Sequence, residues 1–166
     1  MSPPGLLSRI RRNHGMEHAT LHILAERHPG QPFAGHSSHS GFWIVGDVTT
    51  EELRAAVDEA AQRLQNGEHR LAIHPNCGTN LATAGLSAGL AASFAFLGGG
   101  KRLRDRLERL PLAATLATLG LILAQPLGYL LQERITTSGI PGSLRVVGII
   151  PSQRGRIKAH RVVTKD

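Results

Sequence analysis

The sequence predicts a mainly α membrane protein: a two-helix transmembrane hairpin, with a small α+β extramembrane domain built from the N- and C-terminal segments. Two observations predict the hairpin. Residues 81–100 (LATAGLSAGLAASFAFLGGG) and residues 111–131 (PLAATLATLGLILAQPLGYLL) carry no charge. Each is about the twenty residues that a bilayer demands. The first is weakly apolar, which leaves a buried soluble helix as its alternative. A third observation predicts the extramembrane part: strand-like and helix-like patterns flank the apolar stretches on both sides. The expected organisation is an α+β metal-site domain over residues 1–79, the hairpin over 80–131, and a C-terminal β-hairpin segment over 132–166 packing on the first domain.

The elements follow in order. Residues 1–8 read as a flexible lead with Pro3, Pro4 and Gly5. A helix is expected from Leu6 or Leu7 to about Arg27, with Ile10, Met16, Leu21 and Leu24 on its apolar face and Pro29-Gly30 ending it. Arg9, Arg11 and Arg12 lie at its positive dipole end and do not stabilise it. They are expected to face lipid phosphate, an acidic partner or plain solvent. Residues 29–41 read as a mobile loop, which disqualifies His36 and His39 as fixed ligands. Residues 41–48 have strand composition. Thr49 and Glu52 form a capping box ahead of Leu53, Val57, Ala60 and Leu64 at helical spacing. Residues 69–73 are expected to be a short strand delivering His74 and Cys77.

In the apolar stretches, Gly85 and Gly89, and then Gly120, Ala124 and Gly128, place small residues four apart. Such faces let helices approach closely, within one chain or in a homo-oligomer. Gln125-Pro126 is expected to kink the second helix. The connecting segment Lys101–Leu110 holds five basic and two acidic residues, which argues for a cytoplasmic loop. The N-terminal part has no apolar signal run before its arginines, which argues that it too stays inside. These two arguments conflict. The reading adopted is a multi-pass protein of the bacterial inner membrane with the site on the cytoplasmic side. Residues 144–150 and 157–164 read as strands that pair with each other and with the Trp43 strand. His160 reads as a surface residue.

The formal charge of +7 at pH 7 suits anionic lipid or nucleic acid. One Trp, one Tyr and four Phe supply few stacking platforms, so the lipid bilayer and its anionic lipids are the expected partners and nucleic acid is not. The single cysteine excludes an internal disulfide framework.

The chemistry is expected around His14-Gly15-Met16-Glu17-His18. Two histidines four apart share a helix face, and Glu17 leans toward it. This is the H-x-x-E-H order of the inverted zinc peptidases. The bland reading is two solvated histidines at a helix start. His74-Pro75-Asn76-Cys77-Gly78-Thr79 is a turn that adds an imidazole and the only thiol. His14, His18, His74 and Cys77 would complete a tetrahedral zinc site; three of them plus water would make a catalytic one. The bland reading of Cys77 is a small buried hydrophobe. His22 continues the spacing; it could support the ligands or be a spare ligand, and a surface histidine is the simpler reading.

Three motifs in this order resemble the YqhQ-like family of bacterial membrane proteins: His14–Thr20 (HGMEHAT), His74–Thr79 (HPNCGT) and Leu131–Thr137 (LQERITT). The chain is similar to a compact relative of that family of unknown function. The resemblance implies that Glu17, His14, His18, His74, Cys77, Gln132 and Thr136 belong to one site. It implies no reaction.

Two functions follow. The first is a membrane-bound zinc hydrolase acting on a peptide or protein substrate. Glu17 would move the proton, and Asn76, Gln132 or Thr79 would polarise the substrate carbonyl. The alternative is a non-catalytic scaffold or assembly subunit stapled by a structural His/Cys zinc site, since thiolate donation lowers the Lewis acidity of zinc.

Overall fold

A computed structural model describes residues 5–98, 100 and 102–166. Pro3 and Pro4 of the expected lead, and Lys101 of the connecting segment, lie outside the described residues. The chain is α+β. In order it forms α1 (Leu6–Arg27), β1 (Ala34–Ser38), β2 (Gly41–Val45), α2 (Thr50–Gln65), a 3₁₀ turn (His69–Ala72), α3 (Gly78–Phe94), α4 (Leu103–Leu107), α5 (Leu110–Leu131), a π turn (Gln132–Thr136), β3 (Arg145–Arg154) and β4 (Ile157–Lys165). The four strands make one antiparallel sheet in the order β1-β2-β4-β3.

The expectation of a mainly α protein with a two-span transmembrane hairpin is therefore corrected. Among the described residues one helical stretch, Leu103–Thr136, is long and apolar enough to cross a membrane. The first apolar segment fails because α3 ends at Phe94 after 17 residues. That is about 26 Å of helix. Its Ala, Gly, Ser and Thr content also leaves it only weakly apolar. A multi-pass location in the bacterial inner membrane is not supported.

The chain folds into two compact units. The first comprises the residues up to His74 together with Glu133–Asp166. Its core joins one face of the sheet (Phe42, Ile44, Val162) to α1 (Met16, Ile23, Leu24) and α2 (Leu53, Val57, Leu64). Each of these large apolar side chains contributes about 1.5–3 kcal/mol by leaving water. The Thr49/Glu52 capping box forms as the sequence predicts and fixes the start of α2. Wholly buried Asn13 ties α1 to the sheet. Its amide donates to the Ser38 carbonyl at 2.8 Å, and its Oδ1 accepts from the Thr164 hydroxyl at 2.7 Å.

Several local expectations change. Residues 69–73 form no strand. Past Gly67, at φ +97°, the chain winds through i→i+3 bonds from Leu71 N to Glu68 O and from Ile73 N to Arg70 O. The expected loop at 29–41 contains β1, a weak strand former that exists because β2 pairs with it. Two arginines of the first turns of α1 find an acidic partner within the chain. Arg9 and Arg12 pair with Asp166 at 2.9 and 2.6 Å, and Arg12 also donates to the Pro141 carbonyl. His160 is buried, with Nε2 3.1 Å from the Thr50 hydroxyl.

The second unit is Pro75–Gln132. In it α3 and α5 run antiparallel, since Gly120 faces Ser87 and Ala91 while Gly128 faces Asn80. A Cβ on Gly120 would lie 2.8 Å from the Ser87 carbonyl oxygen. Gly85 and Gly89, expected to be packing positions, have nothing within 4 Å.

Candidate metal centre

The centre is built on the middle of α1, where the helix fixes the direction of every side chain. Successive residues of an α-helix turn by about 100°, so His14, His18 and His22 step round by about 40° each, and Glu17 lies about 60° from His14 on the other side. Asn13 and Glu17 thus turn to the sheet, and the three histidines turn away from it.

Each histidine is locked by a backbone carbonyl of the first unit. His14 donates from Nδ1 to the Thr136 carbonyl at 3.0 Å. His18 donates from Nδ1 to the Ala72 carbonyl at 2.8 Å. A carbonyl can only accept, so both rings carry their proton on Nδ1 and present Nε2 as a lone-pair donor. This second-sphere arrangement fixes the tautomer and rotamer of metal-binding histidines. His22 is reversed, with Nε2 donating to the Ile73 carbonyl at 2.9 Å. It is half-buried, not a surface residue.

The rings form a row. Centroids of His14 and His18 are 4.4 Å apart, those of His18 and His74 5.6 Å, and those of His22 and His74 4.8 Å. Burial, and then the neighbouring His22 and His18, push the His74 pKa down to about 4, so that ring is neutral at pH 7.

The segment around Thr136 is held to α1 in turn. Arg11 donates through Nε and Nη2 to the Thr137 carbonyl at 3.2 and 3.1 Å, and through Nη2 to that of Arg134 at 2.9 Å. Ser138 N donates to the Arg11 carbonyl at 2.9 Å. This strap runs so close to α1 that a Cβ on Gly15 would lie 2.9 Å from the Ser138 carbonyl carbon and 3.1 Å from Ala72 Cβ. Beside it is a cavity of about 280 Å³, lined by Arg11, His69, Arg70, Glu133, Thr137 and Ile140 among others.

Glu17 is buried, at 4% exposure. Its carboxylate fills the place where a side chain on Gly35 of β1 would begin, with Cδ 2.7 Å from that Cβ position.

Of the residues predicted from sequence, the first unit brings together His14, His18, His74 and Thr136. Thr136 takes part through its carbonyl. Cys77 is buried and caps the start of α3 in the second unit. Only Pro75 and Asn76 separate it from His74, so the chain tethers it within about 10 Å of that residue's backbone. In the same unit Asn76 is exposed, and the Thr79 carbonyl accepts from the Thr83 hydroxyl at 2.7 Å. Gln132 is wholly buried and donates from Nε2 to Asn80 Oδ1 at 2.7 Å. His14, His18 and Cys77 constitute a candidate set of metal donors. Two imidazoles and a thiol suit a borderline-soft divalent ion.

Sequence reasoning missed the part played by Arg11, and missed Gly15 and Gly35. A glycine within H-G-x-E-H was a legible signal of close backbone approach. Gly35 carried no such signal, because its partner lies on another element.

No solved structure matches this chain. It is 39% identical over 147 residues to an uncharacterized protein of Picosynechococcus sp. (strain ATCC 27264 / PCC 7002 / PR-6), covering 81% of this chain and 70% of the relative. The YqhQ-like resemblance rests on the three motifs alone. The model of the domain of unknown function DUF6391 matches residues 9–149, a span that holds the whole histidine row, Cys77 and the strap, and the chain is a member of that family.

Proposed function

We propose that this chain is a zinc-dependent hydrolase whose substrate is a peptide, with His14, His18 and Cys77 as metal donors and Glu17 as the proton carrier. One observation carries the reading. His14 and His18, one helical turn apart, both spend Nδ1–H on a backbone carbonyl and so offer two Nε2 lone pairs from one face. Simply solvated histidines would not both be held at backbone carbonyls.

Zinc, when bound, lowers the pKa of a coordinated water toward 7 and polarises a carbonyl. The residues of the chain supply the rest. The Thr136 and Ala72 carbonyls hold the imidazoles in register. Glu17, one residue before His18, takes the proton of the attacking water and returns it to the leaving amine, a role that requires its side chain to turn from its place under Gly35 toward the histidines. Asn76, Thr79 and Gln132 are the proposed donors to the substrate carbonyl. The neutral His74 adds no charge that would repel the cation.

A second reading has its own observation. Cys77 is 5% exposed, and a buried thiolate donor suits a structural staple. Glu17→Gln separates the two. The test is hydrolysis of fluorescein-casein by zinc-loaded protein. The hydrolase reading expects Glu17→Gln to keep its metal and its melting temperature and to lose about 100-fold or more in rate. Equal rates for variant and wild type, or no hydrolysis by the wild type, would leave the staple.

A further inference from the structure

We infer that the cavity between the 3₁₀ turn and the strap is a carboxylate subsite of the metal centre, where Arg70 and Arg11 hold one carboxylate of a peptide whose backbone runs on toward the histidine row. The inference deepens the hydrolase reading and rests on it for cleavage, but not for the binding itself.

The cavity lies on the face of α1 that carries the metal donors. At about 100° per residue, Arg11 comes within about 20° of His18 and His22 and within about 60° of His14, so Arg11 heads the histidine row along one side of the helix. The cavity and the row also share their walls. Ala72 and Ile73 line the cavity, and their carbonyls accept from His18 and His22. Thr137 lines it too, next in the chain to Thr136, whose carbonyl accepts from His14. All of these residues belong to the first unit. From Arg11 to His14 the helix rises about 4.5 Å. A peptide held at the cavity therefore needs about one to three residues, each spanning up to about 3.5 Å, to reach the donors.

The lining favours an anion. Arg11, Arg70 and Glu133 leave it one positive charge in excess. No ion pair joins either arginine to a carboxylate among the described residues, Glu133 included. Arg9 and Arg12 of the same helix, by contrast, share Asp166. Arg11 is anchored through Nε and Nη2 to the strap, which fixes its guanidinium and leaves the two Nη1 protons with no acceptor among the described residues. A carboxylate can take two N–H groups of a guanidinium side by side, in a geometry that a neutral amide does not match. His69 donates from Nδ1 to the Gly139 carbonyl at 2.8 Å, so its Nε2 is left to accept a peptide N–H. Ile73 and Ile140 add an apolar wall for the side chain that comes with the carboxylate. At about 280 Å³ the space is at the small end for a ligand pocket, which suits one or two residues of a peptide.

A peptide offers a carboxylate from its C-terminus or from an acidic side chain, and fluorescein-labelled tetrapeptides separate the two: Gly-Ala-Ala-Ala as the free acid, the same sequence as its C-terminal amide, and Gly-Ala-Ala-Glu as its amide. Binding is read by anisotropy with zinc-loaded Glu17→Gln protein. The proposal expects at least one carboxylate peptide to bind about tenfold or more tighter than the neutral amide, and the one that does identifies the source. Arg70 is exposed, so Arg70→Glu is expected to remove this preference while zinc content and melting temperature stay unchanged, and Arg70→Lys to keep part of it. Arg54→Glu, exposed on α2, changes the net charge equally and is expected to leave the preference intact. Equal binding of all the peptides, or no binding of any, overturns the proposal. A preference that survives Arg70→Glu would put the carboxylate on the metal and overturns it as well, as does a preference lost equally in Arg54→Glu. The two readings fail separately. Casein cleaved by a wild type without carboxylate preference sinks the subsite and keeps the hydrolase. An Arg70-dependent preference in a protein whose wild type cleaves nothing keeps the subsite and sinks the hydrolase.

Discussion

The His18 ring donates its Nδ1 proton to the Ala72 carbonyl at 2.8 Å, so the last residue of a 3₁₀ turn sets which nitrogen of the helix histidine faces outward. His14 is set in the same way by Thr136. Both rings are therefore donors before any ion arrives. Purified protein is expected to carry about one zinc per chain, and His14→Ala or Cys77→Ser to lower zinc affinity by about 100-fold or more. Elemental analysis after dialysis against a weak chelator checks this. Wild-type protein that retains no zinc after loading would remove the metal centre altogether.

Gly15 is the position where the strap touches α1. A methyl there meets the Ser138 backbone and Ala72 Cβ, none of which is the free end of a flexible side chain. Gly15→Ala is expected to cost about 1–3 kcal/mol by overpacking, despite the better helix propensity of alanine. Gly85→Ala, with nothing within 4 Å, is the comparison and should be neutral or slightly stabilising. Urea denaturation of both variants measures the contrast. A Gly15→Ala protein as stable as wild type would mean that the strap can move away.

Much of the first unit was legible because its signals are local. The helix at Leu6–Arg27 follows from its apolar spacing and Pro29-Gly30, and α2 follows from a four-residue capping box. The H-x-x-E-H pair needed only helix geometry. What was not legible depends on partners far along the chain. β1 reads as loop because Gly, His and Ser do not favour strands, and only β2 makes them one. The basic turn of α1 reads as facing lipid, an acidic partner or solvent, and the sequence does not say that Asp166 pairs with it, because that residue lies at the opposite end of the chain. The first apolar span failed for a different reason. Absence of charge marks a stretch as buried or lipid-facing only when it is also apolar and long, and α3 is rich in alanine and glycine.

The Asp166 carboxylate joins Arg9 and Arg12 to the end of β4 at 2.9 and 2.6 Å. Arg12 is buried, so removing the carboxylate strands a charge away from water. Asp166→Asn is expected to destabilise the protein by about 1–3 kcal/mol, less than a fully enclosed pair because Asp166 itself touches solvent. Thermal unfolding at low and high salt checks it. A variant with unchanged melting temperature would show that the Ser8 and Pro141 carbonyls suffice for Arg12.

His160 gives the fold a pH dependence away from the metal donors. Burial pushes its pKa below the ordinary 6.5, and Glu51 opposes this only in part. The Thr50 hydroxyl faces its Nε2, and no charged group pairs with its Nδ1 among the described residues. The sign follows from linkage. The unfolded chain binds the His160 proton more readily than the folded one, so stability rises with pH between the folded and unfolded pKa values. The contribution is complete above about pH 6.5 and is lost as pH falls below it. Replacing His160 by Gln, which keeps a donor for Thr50 but cannot titrate, is expected to flatten the melting temperature between pH 7 and pH 5 relative to wild type. Metal-free protein should be used, so that loss of zinc in acid does not add to the slope. Parallel curves for variant and wild type would assign the acid sensitivity to other groups, His74 first among them.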